Sequence, residues 1–130
     1  MNTTARAAYM DASVATASPA RLLVMLCERL VLDVRRGLEA QREGSIEEAN
    51  RQLIHAQEIV FELRSSLRVD DFEGGAGLAS IYDFVHTQLV RANISKDPAI
   101  TDGCLHLVMD LCATWCQAAQ QAAQQSALAG

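Results

Sequence analysis

Few residue pairs in this chain have the spacing for chemistry. Asp83-x-x-His86 is the one place where a carboxylate precedes a histidine by three residues. A di-metal carboxylate bundle needs that pair on two helices and a further glutamate on each of two others. A single pair reads instead as an acidic residue and a histidine on a polar helix face. Cys112 and Cys116 stand one helical turn apart, with Cys104 and His106 upstream. Thiolate and imidazole are soft-metal ligands. Yet Cys104 and Cys112 share a seam with Val108, where free cysteine serves as a small buried residue. Gly74-Gly75-Ala76-Gly77 lacks the lysine and the preceding strand of a phosphate-cradling loop, and there is no Ser/His/Asp signature. The reading expects no enzyme, no cofactor and no metal.

The elements that position these residues are helical. Ile46, Ala49, Leu53, Ala56, Val60, Leu63 and Leu67 recur in steps of three and four, the seam of a packed helix. Ser45 and Glu48 have capping-box spacing after Gly44, and Gly44 is a natural stop for a helix that begins at Ser18-Pro19. Residues 19–43 and 45–67 therefore predict an antiparallel hairpin with a very short turn. A third helix carries Leu78, Tyr82, Val85, Leu89 and Ala92 on one face. Asp97-Pro98 starts a fourth with Leu105, Val108, Leu111, Cys112 and Trp115, interrupted only by Gly103. No segment alternates with a period of two. The fold expected is all-α, an antiparallel four-helix bundle over residues 18–117. A leader (1–17) precedes it as a short N-terminal capping segment, and an Ala/Gln-rich tail (118–130) follows.

Composition narrows the function. The 130 residues are half apolar and carry a net charge of −5, with Lys and Arg scattered. A basic face for nucleic acid is absent, so none is expected as a partner. The longest apolar run, Leu22 to Cys27, falls far short of a bilayer span, and the N-terminus lacks a secretory pattern. A cytoplasmic protein without membrane insertion is expected, and four cysteines without scaffold spacing agree with a reducing compartment. Arg35-Arg36, Glu47-Glu48 and Asp70-Asp71 read as solvated charge.

The helices hold more apolar surface than a closed bundle requires. Ile54 and Phe61 lie outside the second helix's seam, about 100° from Leu53 and Val60. Ile81, Phe84 and Val90 flank the third helix's core face, and Leu107 and Met109 flank the fourth's. Such stripes either widen the core or leave a groove open for an apolar helical ligand. Tyr9, Met10 and Val14 of the leader could cover such a groove, since a tethered segment acts at high effective concentration.

At this point the chain resembles the FliS family of bacterial flagellar secretion chaperones over about residues 7–116. The carriers are Ala8-Tyr9, Val14-x-Thr16-Ala17-Ser18-Pro19, Leu22-Leu23-x-Met25-Leu26, Ala49-Asn50, Ala56-Gln57-x-Ile59 and Glu62-Leu63-x-x-Ser66-Leu67. Gly74-Gly75, Tyr82-Asp83-Phe84, Leu89-x-x-Ala92-Asn93-Ile94, Asp97 and Trp115 complete the set. Their order and spacing together carry the resemblance. Two places depart from it: Cys27-Glu28-Arg29 stands where an aromatic, an acidic residue and glycine are usual, and Ala76-Gly77 follows the double glycine.

The resemblance implies a helical bundle that binds the C-terminal segment of flagellin, keeps it from polymerising and presents it to flagellar export apparatus components. On that reading the groove residues are Ile54, Phe61, Tyr82, Val85, Leu89, Leu107 and Leu111, with Tyr9, Met10 and Val14 as a displaceable cap. The competing expectation is a self-associating or metal-binding bundle with no export client, built on the four cysteines and the surplus apolar surface.

Overall fold

The computed structural model describes residues 18–71 and 73–129, and the leader lies outside it. Helix α1 spans Pro19–Arg42, α2 Ile46–Ser66, α3 Gly75–Ser95 and α4 Pro98–Ala129. A short 3-10 turn at Val69–Asp71 precedes α3, and no strand occurs among the described residues.

Local chemistry sets each boundary. Ser18 caps α1 by accepting from the Arg21 backbone N–H at 3.2 Å, and Pro19 occupies the first turn, where an N–H has no partner anyway. Asp97 does the same for α4, its carboxylate accepting from Ala99 N–H at 2.9 Å. Gly44 turns the chain between α1 and α2 at φ +78°, a conformation that favours glycine. The expected capping box does not form: Ser45 makes no side-chain cap bond. Its backbone is bound back to Ala40 O by the tight turn, and Glu48 instead pairs with Gln52 and Arg51, each at 2.8 Å. The α4 helix continues through the Ala/Gln segment to Ala129.

The helices form a ring in which each packs on its neighbours in chain order and α4 closes onto α1. The partners run antiparallel. Cys27 meets Cys112 while Gln41 meets Thr101 across α1 and α4, and Arg64 meets Asp83 while Asn50 meets Asn93 across α2 and α3. The core between them contains Leu30, Val34, Leu53, Val60, Tyr82, Val85, Leu89 and Val108, all essentially inaccessible. Ile46, placed on the α2 seam by periodicity, is instead exposed where the helix begins.

Two glycines on these helices predict opposite responses to alanine. Gly103 has open space around an added Cβ, so Gly103→Ala should raise stability by roughly 0.5–1 kcal/mol. At Gly37 the same Cβ would lie 2.9 Å from Leu53, which is fully buried and has nowhere to move. Gly37→Ala should therefore lower stability, because overpacking of about 1–3 kcal/mol outweighs the propensity gain. Urea midpoints at unchanged m-value distinguish the two directions.

Candidate functional site

The seam between α3 and α4 is the least closely packed of the ring. It opens into a cleft of about 490 Å³ lined by Leu78, Ile81, Phe84, Leu107, Leu111 and Trp115, with Val85 at its floor. Ile81, Phe84 and Leu107 are 49%, 53% and 37% exposed, unusual for side chains of this size in such proximity. Asp110 and Thr114 are the hydrophilic residues on its wall. The Thr114 hydroxyl donates to Asp110 O within α4, so it offers a ligand mainly its methyl group. A row of apolar knobs beside a trough is the geometry that accepts one face of an amphipathic helix.

The expected groove residues do not form one surface. Leu107, Leu111 and Val85 meet in the α3/α4 cleft. Phe61, 67% exposed, lines a second hollow between α2 and α3 with Arg64, Asp83 and His86, where Tyr82 forms part of the floor. Ile54 sits apart on α2 beside Glu47, Arg51 and Glu58. Leu89 is fully buried, and Tyr82 and Val85 are nearly so; all three belong to the core, not to an accessible wall. A residue at the centre of a helix's apolar stripe points to the bundle axis, and it is the residues flanking that stripe that meet solvent. Leu78, Trp115, Ile81 and Phe84 line the cleft but are missing from the expected set, and the two most exposed of them are Ile81 and Phe84. Their position beside the core face was visible in the sequence, and so was their apolar character. Tyr9, Met10 and Val14, the expected cap, lie outside the described residues.

The groups with chemical potential are engaged elsewhere. Asp83 pairs with Arg64 at 3.2 Å. No three His, Cys, Asp or Glu side chains are grouped to hold a metal ion among the described residues. Asp33 is a fully buried carboxylate that accepts from Arg29 Nε at 2.8 Å and pairs with His55 Nδ1, joining α1 to α2 on the side away from the cleft. A hollow of about 510 Å³ at the far end of the bundle has Ile46 and Ala49 in its lining but also Gln41, Glu47, Asn50, Asn93 and Lys96. Filling it with apolar groups would desolvate amides and an ammonium, so the α3/α4 cleft is the better apolar site.

Tyr82 forms part of the floor of the α2/α3 hollow and of a smaller one beside Trp115. Burial pushes its phenol up to about 12, with the Trp115 N–H pulling the other way. That indole nitrogen is itself buried and has no hydrogen-bond acceptor among the described residues. Because the folded value lies above the ordinary 10, the fold holds the neutral phenol. This contribution is complete below about pH 10 and is lost as pH rises towards 12, where the unfolded chain ionises first, at roughly 1.4 kcal/mol per pH unit. Chemical denaturation across that window should show the fall, and Tyr82→Phe should lessen it, the remainder coming from the buried Cys104 thiol, which is also held above its ordinary value.

Comparison with known proteins agrees with the architecture. Residues 1–122 match the family model described as flagellar protein FliS. The flagellar secretion chaperone FliS of Bacillus subtilis (strain 168) is 34% identical over 113 residues, covering 87% of this chain and 84% of that protein. The flagellar secretion chaperone FliS of Vibrio cholerae serotype O1 (El Tor Inaba N16961) is 29% identical over 111 residues, covering 83% and 80%. No helix among the described residues is long and apolar enough to cross a membrane. With a helical bundle, an open apolar cleft and a family match across nearly its whole length, the chain belongs to the FliS family of flagellar proteins.

Proposed function

We propose that this protein is a cytoplasmic flagellar export chaperone that binds the C-terminal segment of flagellin. An amphipathic stretch of that segment folds onto the α3/α4 cleft, which keeps the subunit from polymerising and presents it to the export apparatus. The mechanism is non-enzymatic: burial of apolar surface offsets the entropy of ordering the client. The observation that carries this reading is the exposed row of Ile81, Phe84 and Leu107 around a trough at the weakest seam of the bundle. The names of the two relatives, both flagellar secretion chaperones, support it. Phe61, in the neighbouring α2/α3 hollow, extends the apolar surface to the other side of α3. The leader residues Tyr9, Met10 and Val14 serve as the cover that the client displaces.

Recovery of flagellin on the immobilised chaperone tests the proposal. Intact flagellin should be retained, and flagellin lacking its C-terminal segment should pass through. Equal recovery of both, or of neither, would contradict the proposal.

A further inference from the structure

The core contains a pair of thiols that client binding does not use. Cys112 Sγ on α4 donates to the backbone oxygen of Cys27 on α1 across 3.4 Å, so the two residues face each other across the α1/α4 seam. Cys27 is fully buried and Cys112 is 6% exposed. All four cysteines of the chain are free thiols. We infer that Cys27 and Cys112 form a thiol–disulfide site, in which a small-molecule disulfide oxidises the pair to a cross-link joining α1 to α4.

The surroundings fit a nucleophile and its resolving partner. Interaction with the neighbouring Cys112 side chain holds the Cys27 thiol below the ordinary thiol range, against the opposing effects of burial and Glu28. The same interaction, with burial, pushes the Cys112 thiol well above that range. The Cys27 sulfur is thus the one favoured as the attacking thiolate, and Cys112, which faces it across the seam, is placed to resolve the mixed disulfide. Cys104 is the internal contrast: equally buried on α4, it is pushed up to about 11 by desolvation alone.

The chemistry balances with a disulfide RSSR as oxidant. The Cys27 thiolate attacks one sulfur of RSSR, the S–S bond breaks, and RS⁻ leaves and takes up the proton given up by Cys27. Cys112 sulfur then attacks Cys27 Sγ, passing its proton to the second departing RS⁻. The products are Cys27–S–S–Cys112 and two RSH, two sulfurs oxidised and two reduced. Entry requires the α1/α4 seam to open briefly, near the half-buried Cys116. The cross-link ties together two helices 85 residues apart in the chain, a long closed loop that removes much unfolded-state entropy. It leaves the α3/α4 seam untouched.

The test uses the full reduced chain and 2-hydroxyethyl disulfide under native conditions. Trypsin releases Cys27 on the peptide Leu22–Arg29, whereas Cys104, Cys112 and Cys116 all remain on the C-terminal peptide that begins at Asp97. Oxidation should join these two peptides, leave two alkylatable thiols of the original four and raise the melting temperature by about 10 °C, reversibly with dithiothreitol. Cys104→Ser should retain the cross-link and Cys112→Ser should lose it, with Cys27→Ala as a second loss variant and circular dichroism checking the fold of each. A cross-link that survives Cys112→Ser would overturn the inference, as would one that forms only in denaturant or not at all. None of these outcomes depends on whether flagellin is the client.

Discussion

Replacing Phe84 with aspartate is expected to weaken binding of a flagellin C-terminal peptide roughly a hundredfold while lowering the melting temperature by only about 4 °C. Phe84 is half exposed, so the folded bundle loses only the packing of the ring's buried half, about 1 kcal/mol. In the proposed complex the ring is fully covered. Losing that burial and placing a carboxylate against the client's apolar face together forfeit about 3 kcal/mol. Titration of the peptide against both proteins, with thermal melts of each, separates a binding effect from a folding one. A Phe84→Asp protein that binds normally would exclude the cleft.

Tyr82→Ala should do the reverse in kind: it destabilises the fold. Tyr82 is 2% exposed and the largest of the fully buried side chains. Truncating an aromatic of this size in a packed core costs about 3–5 kcal/mol, since the cavity refills only in part. Against a total stability of about 5–15 kcal/mol for such a domain, the melting temperature should fall by roughly 10 °C or more. Tyr82→Phe retains the volume and should melt close to the wild type. If Tyr82→Ala melts normally yet fails to bind client, Tyr82 is a groove residue and not a core one.

The contrast between Phe84 and Tyr82 shows where sequence reading succeeds and where it stops. Helix existence and boundaries are written locally. Ser18-Pro19, Gly44 and Asp97-Pro98 act on their own neighbours, and the starts of α1, α2 and α4 and the end of α1 fall within a residue or two of where these place them, whereas α4, with no stop signal, runs on to Ala129. Core faces are legible too, because a periodic stripe such as Ala49, Leu53, Ala56, Val60 and Leu63 has one way to be buried. The site is less legible. Two seams flank α3, and nothing in the order of residues says that the one against α4 is looser than the one against α2. The stripe through Tyr82, Val85 and Leu89 could therefore be assigned to a groove, while Ile81 and Phe84, on its edge, form the accessible wall. Pairs remote in sequence were invisible for the same reason. Asp33 and His55 lie 22 residues apart, and Cys27 and Cys112 lie 85 apart. Only the ring order of the helices brings each pair together.

The most direct test of the cleft is covalent capture. A benzophenone side chain at position 84 keeps the aromatic character of the wall, and the same group at Glu39, exposed on α1, serves as the control. Irradiation with intact flagellin should trap the client from position 84 and place the attachment within its C-terminal segment, with little product from position 39. Equal capture from both positions, or attachment outside that segment, would contradict the proposal that α3 and α4 hold the client.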